Sequence, residues 1–92
     1  MTTLSAKLTF HISHAQSLKD KRMIARSLTD KARKKFNASI AEVDSQEAHQ
    51  ILTLGIAVVS GEHSHAQNMI DEIIRFMERN TEAELVSVTD DA

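Results

Sequence analysis

Ile51-Leu52-Thr53-Leu54-Gly55-Ile56-Ala57-Val58-Val59-Ser60 is the stretch that decides how this chain folds. It is β-branched and apolar at both alternating phases, the pattern of a strand inside a sheet rather than at its rim. Ser60-Gly61 breaks it. Upstream, residues 4–12 alternate, with Leu4, Ala6, Leu8, Phe10 and Ile12 on one side and Ser5, Lys7, Thr9 and His11 on the other, which predicts a half-buried strand. Shorter strands are predicted at 38–44 and 83–89; in the former, Ala41 beside Glu42 interrupts the alternation and suggests a bulge. The polar connection Ser45 to Gln50 has room for a helical turn.

Between the strands the period changes to that of a helix. Over 18–36, Leu18, Ala25, Leu28, Ala32 and Phe36 share one face, with Ile24 at its margin. Ser17 is placed to cap the first turn and Asp20 to answer it reciprocally; Asn37, tolerant of a left-handed conformation, is the expected stop. Over 62–79 the buried stripe is Ala66, Met69, Ile70, Ile73, Ile74 and Met77, with Ser60 the expected local cap and Asn80 the stop. The order is β-α-β-β-α-β, and two right-handed crossovers make this an α+β, ferredoxin-like domain with two helices on one face of a four-stranded antiparallel sheet. The other face is left to Lys7, Thr9 and His11 from the first strand and Thr53, Gly55 and Ala57 from the third.

A chain of 92 residues supports one core, so residues 1–92 are expected to form one domain. It contains no cysteine, which excludes a disulfide framework, a thiolate metal site and a cysteine nucleophile. The longest apolar run, Leu54 to Val59, falls far short of the roughly 18–20 residues that cross a bilayer, and the N-terminal residues lack the pattern of a secretory signal. No membrane partner is expected, and the cytoplasm is the expected location. A net charge of -2 conceals a strong separation: residues 1–36 hold nine Lys or Arg against two acids, the remainder two against eleven.

Three segments, Gln16-Ser17-Leu18-Lys19-Asp20-Lys21-Arg22, Phe36-Asn37-Ala38-Ser39-Ile40-Ala41-Glu42-Val43-Asp44 and Thr53-Leu54-Gly55-Ile56-Ala57-Val58-Val59-Ser60, occur in this order. In them the chain resembles the YlxP-like family of small bacterial proteins of unknown function. The resemblance implies a ferredoxin-like fold over nearly the whole chain and no known activity. Family members are often encoded among genes for translation, transcription elongation and ribosome maturation, so it also implies an RNA-related or ribosome-related role. This sequence has Ser13 where a proline is common and His49 where an aromatic is common, so a stacking role at 49 is not carried over.

The most informative surface is the outer side of the first helix. At about 100° per residue, Lys19, Arg22, Arg26 and Arg33 fall within an arc of about 60°, along roughly 20 Å of helix, where guanidinium groups suit phosphate oxygens. With Lys21, these residues form the expected nucleic-acid-binding set: Lys19, Lys21, Arg22, Arg26 and Arg33. The competing reading is a solvated face, since Lys31, Arg33, Lys34 and Lys35 also complement the helix dipole. Base stacking on the sheet is not expected, because the chain has no Trp or Tyr and Phe10 has the phase of the core. No metal or other cofactor is expected: His63 and His65 diverge by about 200° on a helix, and His11 and His14 have no third ligand. Two glycines cannot build a phosphate loop, and Ser60 near His63 and His65 lacks a positioned acid, so no catalytic residues are assigned. The expectation is a small non-enzymatic binding module, RNA- or ribosome-associated through the basic helix. The alternative is a homodimeric or regulatory protein-protein module using the open sheet face.

Overall fold

A computed structural model describes residues 1–90 of the chain. The elements follow the order β1 (Thr2–His11), α1 (Leu18–Lys35), β2 (Ser39–Asp44), β3 (Ile51–Ser60), α2 (His63–Arg79) and β4 (Glu84–Asp90). The sheet is fully antiparallel in the order β2-β3-β1-β4, with both helices on one face, which is the ferredoxin-like arrangement. β3 and β1 occupy the centre because they alone are apolar enough to be covered; they pair in unbroken register from Thr2 opposite Ser60 to His11 opposite Ile51.

The core lies between the sheet and the helices. Ala6, Leu8 and Phe10 of β1, with Ile12 beyond it, face Leu52, Leu54, Ile56 and Val58 of β3, and Leu28 and Ala32 of α1 close over them with Ala66, Ile70, Ile73 and Met77 of α2. These are the expected apolar phases. Phe36 and Phe76 seal one end of the helix layer edge to face, ring centroids 5.5 Å apart, with the Lys35 ammonium 5.1 Å from the Phe76 centroid. No helix is long and apolar enough to cross a membrane among the described residues.

Helix ends depart from expectation in instructive ways. Ser17 Oγ accepts from the Asp20 N–H at 3.1 Å, but the Asp20 carboxylate answers the N–H of Gln16 rather than that of Ser17. The capping box is therefore displaced by one residue. α1 stops without a left-handed residue: Phe36 is extended, its N–H still bonded to the Ala32 carbonyl, because its ring turns inward to meet Phe76. Among the described non-glycine residues only Ser45, at φ 59°, has positive φ. The N-cap of α2 is Glu62 rather than Ser60; Ser60 Oγ accepts from the Glu62 N–H and sits 2.9 Å from His65 Nδ1. At the other end Asn80 stops α2 as expected, its side-chain amide donating to the Phe76 carbonyl.

The bulge expected in the second strand exists, two residues later than the Ala41 position. The β2–β3 register shifts between Glu42 and Asp44, leaving Val43 as the extra residue, and its side chain occupies the space above Gly55. A Cβ at 55 would lie 2.8 Å from Val43 Cγ1. The 45–50 connection forms turns rather than a helix, opened by the Ala48 N–H on the Ser45 carbonyl, and it folds over Thr53. Thr53, expected on the open face, is therefore buried, with its hydroxyl donating to Ser45 Oγ at 3.2 Å.

Candidate functional site

α1 lies across the sheet with its apolar phase inward, so its opposite phase is solvent-facing by geometry. Lys19, Arg22 and Arg26 are exposed beside the apolar face, and their side chains make no hydrogen bond or ion pair among the described residues. Lys31 and Lys34 are also exposed on this helix, so its exposed cations outnumber its two carboxylates, Asp20, which caps the first turn, and Asp30. Asp30 interrupts the row: it follows Arg26 by one helical turn and stands 4.0 Å from the Arg33 guanidinium. The arc expected from periodicity is present, and its N-terminal part is the uncompensated one.

Two members of the expected set are engaged elsewhere. Lys21, expected to face an anion, is 1% exposed. Its ammonium donates to the carbonyls of Ser45 at 2.6 Å, Ala48 at 2.8 Å and Ile51 at 2.9 Å. Glu42 Oε2 lies 2.9 Å away on the same cation. Four acceptors thus surround three protons, and no hydrogen bond is directed at Glu42 Oε2, so the carboxylate is held by charge. A buried ammonium in this setting is saturated by its own chain and has no role in anion binding.

Arg33 is divided between two tasks. Its guanidinium donates to the backbone carbonyl of Ile40 on the edge strand β2 while remaining half-exposed beside Asp30. It ties α1 to the rim of the sheet and satisfies an acceptor that would otherwise invite a further strand. Of the five expected residues, the structure brings Lys19, Arg22 and Arg26 together as a free group, leaves Arg33 at its end and removes Lys21. Sequence reasoning missed the structural use of Lys21 and the interruption at Asp30. Both had a signal: Lys21 is seven residues before Leu28 and so shares its face, and Asp30 is three residues from Arg33.

Other polar groupings offer less. The hydroxyl–imidazole pair Ser60–His65 is exposed at the start of α2, and the same Ser60 oxygen closes the local turn. Among the described residues no three His, Cys, Asp or Glu side chains gather in a way that would hold a metal ion. A shallow hollow of about 280 Å³ runs between Met23, Ile24, Leu28 of α1 and Asn80 to Glu82. Phe10 is fully buried and Phe36 and Phe76 pack on each other, so the sheet's open face presents no phenylalanine ring among the described residues.

Residues 3–90 match the family described as "Protein of unknown function (DUF503)", and the chain belongs to that family. It is 32% identical over 73 residues to the uncharacterized protein YlxP of Bacillus subtilis (strain 168), an overlap covering 79% of each chain. Among solved structures it is similar to a de novo designed protein with a ferredoxin fold, with a TM-score of 0.68 at 17% identity over 100% of this chain and 87% of that one. The second likeness is one of fold alone.

Proposed function

We propose that this DUF503 protein is a non-enzymatic binding module of the cytoplasm whose partner is structured RNA, free or within a ribosomal assembly, held through the outer face of α1. The observation that carries the reading is the state of Lys19, Arg22 and Arg26: three exposed cations on one helical face, none paired among the described residues. A solvated face needs no such segregation, whereas a phosphate backbone rewards it, because each neutralised phosphate releases condensed counterions. The chemistry is that of backbone recognition. With no Phe, Tyr or Trp ring on the open sheet face among the described residues and only the His11 imidazole at its end, stacking of splayed bases has little platform there, so affinity comes from phosphates and sequence preference is weak.

The test is fluorescence anisotropy on a labelled RNA hairpin with the wild-type chain and the double variant Arg22→Glu, Arg26→Glu. Both sites are exposed, so the fold is retained, which circular dichroism checks. The reading expects an affinity loss of at least about tenfold, since reversing two charges converts attraction into repulsion. Equal binding by both proteins would refute it.

A further inference from the structure

The helices cover one face of the sheet only. On the opposite face stand Val59 at 60% exposure, Val43 at 52%, Val86 at 51% and Ile51 at 40%, which is high for aliphatic side chains carried on a well-formed sheet. Between them Ala41, Gly55 and Ala57 form a shallow hollow of about 250 Å³, bounded by Val43 and Lys7. The apolar side chains are spread over three strands, and the bulge at Val43 and the register shift beside Val86 both turn a valine onto this face.

We propose that this face is a dimer interface and that its occupant is a second copy of the chain. Area is the first argument. Strands of 10, 10, 6 and 7 residues make up the sheet. At about 3.3 Å per residue and about 4.8 Å between strands they present on the order of 500 Å² per copy. Two copies together then bury roughly 1,000 Å² or more, the level at which specific interfaces begin.

Charge is the second argument, and it selects a like partner. Lys7 and Asp44 lie on this face by register, and Glu84 stands opposite His11, so the face is close to neutral and carries both signs. Two such faces do not repel, and a two-fold axis brings the Lys7 side of one copy toward the acidic side of the other. The cations of α1 lie on the far side of the sheet. Packing by open faces therefore keeps the two basic helices apart, whereas packing through the helices would oppose them. Knob and hollow are also both present on one surface, valines beside a depression floored by Gly55 and alanines, as an isologous contact requires. The dimer presents a basic helix on each outer surface; the interface itself is independent of whether RNA binds there.

Sedimentation velocity from low micromolar to several hundred micromolar tests the interface. The wild-type chain is expected to pass from monomer to dimer over this range, and the double variant Val59→Glu, Val86→Glu to weaken association by at least about tenfold while keeping its circular dichroism spectrum. Because the chain has no native cysteine, a nitroxide on Thr9→Cys mixed with isotope-labelled wild type gives a second readout. Intermolecular broadening confined to β1 and β3 amides of the open face supports the proposal. A strict monomer throughout, which would leave the face to an unrelated partner, overturns it; so does a dimer that the two glutamates do not weaken, or broadening centred on α1.

Discussion

Lys21 Nζ lies 2.9 Å from Glu42 Oε2, a contact that joins the first helix to the edge strand inside the protein. The same ammonium gathers the carbonyls of Ser45, Ala48 and Ile51, so one side chain fixes the whole β2–β3 connection. Removing it leaves a carboxylate and three carbonyls without their cation. Lys21→Met is expected to lower unfolding free energy by about 3–5 kcal/mol in urea denaturation, the usual cost of orphaning one member of a buried pair. Lys21→Arg should recover only part of this, because a planar fork does not suit three acceptors converging on a point.

Glu42 is the less critical partner. Its side chain retains 24% exposure and the ammonium keeps three carbonyls without it, so Glu42→Gln is expected to cost about 1 kcal/mol and no more than about 2 kcal/mol. A cost equal to that of Lys21→Met would show that the ion pair, rather than the carbonyl cage, holds the connection.

Gly55 and Val43 should be coupled. A methyl at 55 meets Val43 Cγ1 at 2.8 Å, closer than carbon atoms approach without displacement. Gly55→Ala is expected to destabilise by about 1–2 kcal/mol through overpacking, and the same change in a Val43→Ala background to be neutral or stabilising, since alanine restricts the unfolded chain. A double-mutant cycle by chemical denaturation reads the coupling directly.

Arg33 ties the rim of the sheet. Arg33→Ala is expected to cost about 1 kcal/mol and to speed amide exchange along β2, because the Ile40 carbonyl loses its donor. It should change RNA affinity less than Arg26→Ala does, since Asp30 already stands beside Arg33. Anisotropy on the same hairpin compares the two.

The sequence displayed the architecture well because the fold rests on period. The double-sided apolar run at 51–60 and the strict alternation at 4–12 placed the two central strands, and spacings of three and four placed both helix faces. Local chemistry was less legible. Asn37 looked like a left-handed stop, but an inward Phe36, a tertiary contact, decides the end of α1. The basic face of α1 was legible as a charge cluster and not as a division of labour. Lys21 shares the face of Leu28, and Glu42 shares that of Ile40 two residues earlier, so the phases of a buried pair were present. What periodicity lacks is the connection 45–51, whose three carbonyls make burial of that ammonium tolerable.

In the proposed function α1 divides its cations between holding the fold, through Lys21, and meeting a phosphate backbone, through Lys19, Arg22 and Arg26. The most direct measurement takes RNA affinity against salt, with stability, for wild type, Lys21→Met and Arg22→Glu, Arg26→Glu, at a temperature where all three are folded. Wild type is expected to show a log-log slope near -2 to -3, from about three phosphate contacts. Lys21→Met should keep that slope and lose stability, while the double variant should keep stability and lose the slope. A Lys21 variant that loses RNA as completely as the arginine variant while still folded, or no salt-dependent binding by wild type at all, would contradict it.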